Sequence, residues 1–157
     1  MKKSAVILCA ILGTLGGLLI TFIGAAAFGL AGGCLSTSDI TEWALLLLFE
    51  SAVMIALCIP VQFIREKLNR RFGIPAPVFI ASVSVVPLAL SIYERARHLY
   101  RVAHDGYDYF MGGIGMGLTD LFTLTWLVAS SAFFAGQIIM LLTFKLVRGK
   151  KHGSGGL

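Results

Sequence analysis

Glu50 is the only charge inside an otherwise apolar stretch, Trp43 to Ile64. It stands eight residues into that stretch, roughly 12 Å along a helix rising 1.5 Å per residue. A carboxylate at that depth in a bilayer costs about 2.5–3.5 kcal/mol on insertion scales unless it is paired, protonated or wetted. The chemistry open to it is proton or cation binding, or a polar contact with a membrane-inserted partner. The structural alternative is a protonated or hydrogen-bonded side chain that locks a helix bundle through Ser or Thr neighbours.

Asp120 opens the last apolar stretch. It can cap a helix near its positive N-terminal end, pair with Arg95 or Arg97 across the same surface, or share a site with Glu50. The segment Glu94 to Asp108 gathers Arg95, Arg97, His98, Arg101, His104, Asp105 and Asp108, interleaved with Tyr100 and Tyr107 and flanked by Tyr93, Tyr109 and Phe110. His98 and His104 are six apart, on different faces of a helix, so the spacing fits no metal pattern, and side chains at the headgroup layer account for it. All three histidines lie outside the apolar stretches, which leaves no Ser/His or Cys/His pair and no haem ligand. Gly112-Gly113-Ile114-Gly115 follows no strand, so it reads as helix packing rather than a phosphate loop. The chain is therefore expected to be no enzyme and to carry no cofactor and no metal.

The elements that position these residues are apolar runs. Of 157 residues, 57% are hydrophobic and 13% charged, against about 25% charged in a soluble domain. No charge interrupts Ser4 to Ser38, Phe72 to Tyr93 or Leu121 to Phe144, and about 20 apolar residues cross a bilayer core as a helix. The expected fold is an all-α integral membrane protein, a four transmembrane helix bundle with spans near 4–33, 43–64, 77–93 and 118–144. Residues 1–152 then form one membrane domain, and 153–157 read as a flexible tail or vector remnant. The third span is expected to be short and interrupted by Pro87, and Pro60 to kink the second. Ile92, Leu99 and Val102 with the tyrosines predict a separate amphipathic helix lying on the membrane surface and ended by Gly106. Ser38 or Asp39 is expected to cap the second span.

Glycines four apart, Gly13/Gly17, Gly29/Gly33 and Gly113/Gly117, let helix backbones approach closely in lipid. They serve packing within the bundle or a homo-oligomer seam. Cys9, Cys34 and Cys58 form no disulfide framework and read as small packing residues. Lys2-Lys3 and Leu30-Ala31-Gly32-Gly33-Cys34 resemble a signal peptide and lipoprotein box, but the apolar run exceeds the roughly 7–15 residues of a signal core. An uncleaved first span is expected.

The net charge of +5 sits at the ends of the apolar runs, where lipid headgroups read it. Nucleic-acid binding is therefore not expected. One side receives Lys2, Lys3, Arg65, Lys67, Arg70, Arg71, Lys145, Arg148, Lys150 and Lys151, and the other Arg95, Arg97 and Arg101. The positive-inside rule then puts both termini in the cytoplasm, N-in/C-in, with residues 36–41 and 94–108 facing out.

Two segments carry a family resemblance. Gln62-Phe63-Ile64-Arg65-Glu66-Lys67-Leu68-Asn69 leaves the second span, and Thr143-Phe144-Lys145-Leu146-Val147-Arg148 the last, much as in the inner-membrane immunity proteins of pore-forming colicins of the colicin A type. The resemblance implies a non-enzymatic protein of the bacterial inner membrane that meets a toxin's pore-forming helices in lipid. Glu50, Asp120, Arg95, Arg97, Arg101 and Tyr100 would then be binding residues. The alternatives are a small transporter or channel working through Glu50, and an accessory subunit of a larger inner-membrane complex.

Overall fold

A backbone in hydrocarbon has no water to bond to, so an uncharged run of this length satisfies its N–H and C=O groups only as a helix. In a computed structural model, which describes residues 3–34, 40–105 and 112–153, every described element is helical. The helices are α1 (Lys3–Cys34), α2 (Ile40–Phe72), α3 (Ala76–Ile80), a π-helical turn (Ala81–Val85), α4 (Val86–Asp105) and α5 (Gly112–Gly153). They give four stretches long and apolar enough to cross a membrane: Val6–Gly32, Thr41–Phe72, Ala76–His104 and Thr119–Phe144. That build fits a multi-pass membrane protein. The third stretch comprises α3, the π turn and α4.

α1 and α5 form the central pair. α2 packs on both from one side and the third stretch packs on both from another, with α2 meeting the third stretch at α3. The core gathers Met54, Cys58 and Val61 of α2, Phe79 and Val83 of the third stretch, and Ala129 and Phe133 of α5. Small residues set the spacing. A Cβ on Gly136 would lie 2.6 Å from Cys58 Sγ, and one on Gly32 would lie 2.5 Å from the Trp43 ring. α2 and α5 run parallel: Cys58 Sγ donates to the Phe133 carbonyl at 3.3 Å, and Gln62 meets Gln137 one helical turn further on.

The π turn follows from Pro87. Proline has no N–H, and its ring crowds the carbonyl of the residue four back, here Val83. The ladder widens there, and Val86 N–H bonds the Ala81 carbonyl five residues back. Val83 points its displaced carbonyl at Gly17 of α1, where a Cβ would stand 1.9 Å from that oxygen. Absence of a Cβ thus lets the α1 backbone close onto the carbonyl that Pro87 leaves without its helical partner.

Three expectations about the elements are corrected. Residues 94–105 form no separate surface helix; they complete α4, unbroken from Val86 to Asp105. No Gly or Pro follows Pro87 in this helix, and Arg95 and His98 turn inward onto α5, so the segment stands on a neighbouring helix rather than on lipid. α2 does not end near Ile64 but carries the basic segment on to Phe72. Arg, Lys, Glu and Leu are good helix formers, Glu66 and Arg70 pair at 2.9 Å four residues apart, and Gly73 ends the helix with φ 65° in the left-handed region. Asp120 caps nothing, because α5 begins at Gly112, a full two turns earlier. The proposed cap residues Ser38 and Asp39 lie outside the described residues.

Candidate functional site

Asp120 is the hinge pin of the best-defined polar cluster. Arg95 Nη1 donates to its carboxylate Oδ1, to its backbone carbonyl at 3.1 Å and to Thr123 Oγ1 at 3.1 Å. Thr123 Oγ1 in turn donates to the Asp120 carbonyl at 3.1 Å. His98 Nε2 stands 3.4 Å from Asp120 Oδ1, inside ion-pair range but outside hydrogen-bond geometry. Arg95 and His98 are largely buried, with side chains 19% and 9% exposed, while that of Asp120 is 51% exposed. The cluster clamps the end of α4 to α5. Half its charge faces out, so screening keeps its worth near that of a surface pair. The Arg95–Asp120 coupling is expected to be about 1 kcal/mol, read from unfolding of Arg95→Ala, Asp120→Ala and the double variant in detergent micelles. A coupling near zero would show that helix packing alone holds α4.

The other side of the same helix end is open. Arg97, Tyr100, Arg101 and His104 are exposed, as are Tyr93 and Leu99. Arg97 lies 3.4 Å from Glu94. Tyr100 is 63% exposed and stacks on His104, ring centroids 3.9 Å apart. The structure thus divides residues that the sequence placed together: Arg95 belongs to the buried clamp, and Arg97, Tyr100 and Arg101 to an outward face. Tyr107, Asp108, Tyr109 and Phe110 lie outside the described residues.

Glu50 stands apart from both. Its side chain is fully buried and neither carboxyl oxygen has a hydrogen-bond partner. Cys58 and Gln62 pair with residues 75 further along α5; the same offset puts Glu50 at the level of Thr125. Asp120 is five residues away on α5, roughly 7.5 Å in height, yet its carboxylate is held by Arg95 on α4. No contact joins Glu50 to Asp120 among those the structure gives. Thr125 turns its hydroxyl to the carbonyls of Ala25 at 3.2 Å, Leu121 at 3.1 Å and Phe122 at 3.0 Å. Ser130 Oγ on α5 is buried and also lacks a partner.

The packing glycines divide likewise. Gly13 faces Ser82 and Val83, Gly17 the Val83 carbonyl, and Gly29 Thr125 and Phe122. Gly33, Gly113 and Gly117 fall on α1 and α5, but their surroundings lie outside the described residues. Ser82, Ser84 and Ser91 each bond a carbonyl of their own helix at 2.8–2.9 Å. The buried Gln62–Gln137 pair, Nε2 to Oε1 at 2.5 Å, escaped sequence reasoning. Its only signal was one amide in each of two otherwise apolar stretches. Among the described residues, no three of His, Cys, Asp and Glu converge as a metal site.

No family model, no curated protein and no solved structure matches this chain.

Proposed function

We propose that the chain is a non-enzymatic interaction protein of the bacterial inner membrane, with both termini cytoplasmic, and that its specific task is immunity: blocking a pore-forming toxin by contact within or at the membrane. The observation that carries this reading is the end of α4. Arg95 and Asp120 fix it, and Arg97, Tyr100 and Arg101 project from its free side. Tyr and Arg on a rigid element are among the residue types that dominate binding energy at interfaces, Tyr by a large area ordered at low entropic cost and Arg by its fork of donors. The charge distribution of the loops supports the orientation, with this face on the outer side, where a toxin arrives.

The test is protection. Sensitive cells expressing the chain are challenged with pore-forming bacteriocins, and survival is scored. Tyr100→Ala combined with Arg97→Ala and Arg101→Ala is expected to lower protection at least tenfold while leaving the amount of protein in the membrane unchanged. Undiminished killing of cells that carry the intact chain, across a panel of pore formers, would overturn the reading.

Glu50 favours a second reading, a small transporter or channel. A buried carboxyl with no partner inside the bundle is the kind of group that takes up a proton or a cation during transport. An accessory role in a larger membrane complex is a third, supported by the extent of apolar surface on α1, which buries the least of its spanning stretch of the four helices.

A further inference from the structure

On the side of α1 away from α5, a lipid-facing groove of about 350 Å³ separates α1 from the second half of α2. Gly13, Gly16 and Gly17 form one wall, and Ile64, Leu68 and Phe72 the other. Ile74 and Phe79, at the start of the third stretch, close its floor. Nothing lies within 4 Å of where a Cβ on Gly16 would stand, so this wall is open. Along α1 the groove extends from Leu8 to Ile20, roughly 18 Å at 1.5 Å per residue. One leaflet of a hydrocarbon core about 30 Å thick is roughly 15 Å deep. The groove therefore has the length of one acyl chain.

Its mouth is cationic. Arg71 holds its guanidinium over the Phe72 ring, 5.5 Å from the centroid, and Phe72 lines the groove. Lys67 lies one turn earlier, and residues 65–71 carry four cations against the single acid Glu66, which pairs with Arg70. Lys67 and Arg71 line an adjacent hollow of α2 with Phe63, Glu66 and Arg70, and Arg71 meets the groove at Phe72. Guanidinium and ammonium groups at the headgroup layer recognise phosphate.

We infer that this groove is a binding site for an anionic glycerophospholipid of the surrounding bilayer, one acyl chain lying between α1 and α2 and its phosphate held by Arg71 and Lys67. The groove disfavours a polar ligand, since its lining is apolar apart from the Cys9 thiol and the Val83 backbone. The site rests on the four helices crossing a bilayer and is independent of the toxin-contact reading, so either can fail alone.

The experiment uses the full chain, delipidated in neutral detergent and titrated with phosphatidylglycerol or phosphatidylcholine under native mass spectrometry. Intact protein is expected to retain phosphatidylglycerol in preference to phosphatidylcholine. Arg71→Ala and Lys67→Ala should each lower phosphatidylglycerol retention about fivefold and leave phosphatidylcholine unchanged. Gly16→Leu fills the open wall and should lower retention of both lipids, with the Trp126 fluorescence unfolding curve unchanged as proof of fold. Equal retention of the two lipids by the intact chain, or an unaltered preference in the cation variants, would overturn the site. So would unaltered retention in Gly16→Leu, or a dimer that disappears in that variant, which would identify a second copy as the occupant.

Discussion

Gly17→Ala is expected to destabilise the bundle by about 3 kcal/mol, the upper end of overpacking costs, and Gly16→Ala, one residue away on the same helix, to cost nothing. The contrast isolates a single contact. A Cβ on Gly17 would lie 1.9 Å from the Val83 oxygen and 2.8 Å from its carbon. Both are backbone atoms, so no rotamer change relieves the clash; α1 must move away from the third stretch along its length. Moving it loosens the Gly13 contact with Ser82 and shifts Thr21, whose Oγ1 donates to the Gly17 carbonyl of the same helix at 3.0 Å. Thr21 also accepts from Trp126 Nε1 at 3.2 Å. Trp126 stacks edge-on with Phe22 at 5.9 Å and lies 6.0 Å from Phe122, so its emission reports the shift directly. At Gly16 a methyl meets open space, and alanine gains up to about 1 kcal/mol of helix propensity. Unfolding followed by Trp126 fluorescence in a Trp43→Phe background in mixed micelles measures both. Equal midpoints for the two variants would show that the Gly17 approach to Val83 contributes nothing to the fold.

This contact marks where sequence reasoning stops. Uncharged runs announce four helices because lipid leaves the backbone no other partner, and that requirement is local, written into each run. The spacing of Gly13 and Gly17 likewise names a face of close approach. Which helix lies on that face is a matter of register between Gly17 and Val83, far apart in the chain, and it depends on Pro87 displacing one particular carbonyl. No periodicity within α1 carries that information. The ends of α2 and α4 were misread for a related reason. A charge marks the end of a span but not of a helix, which outlasts the apolar stretch when Arg, Lys and Glu favour it. Arg95 shows the consequence: in the sequence it is one of three outer arginines, and in the fold it alone turns inward to Asp120. Gln62 was hidden because it lies near the end of its apolar stretch, where an amide is expected to meet headgroups, and Gln137 because nothing within its own stretch names the helix it faces.

Glu50→Met is expected to stabilise the bundle by about 1–3 kcal/mol, the desolvation cost of a buried polar group left unsatisfied. Methionine matches glutamate in length and lack of branching, so the cavity is conserved while the polar demand disappears. The expectation rests on where the nearby hydroxyls are spent. Ser51 donates to the Leu47 carbonyl at 2.8 Å, and Thr125 is committed to carbonyls of α1 and α5. Ser51 and Thr125 are thus bonded to backbone, the buried Ser130 hydroxyl makes no bond to Glu50, and both carboxyl oxygens stay without a partner. A locking glutamate would give the opposite sign, because its removal would strip bonds from the core. Stability measured beside function then separates the remaining roles. If the stabilised Glu50→Met variant no longer protects cells, the carboxyl is kept for toxin contact at a cost to the fold. If protection persists and proton-coupled flux in liposomes is abolished by Glu50→Gln, the carboxyl is a coupling site. A Glu50→Met variant that unfolds more readily than the parent would overturn the expected stabilisation and restore the lock. An unsatisfied carboxyl buried inside the bundle carries a standing cost of about 1–3 kcal/mol, which a methionine at the same place does not carry.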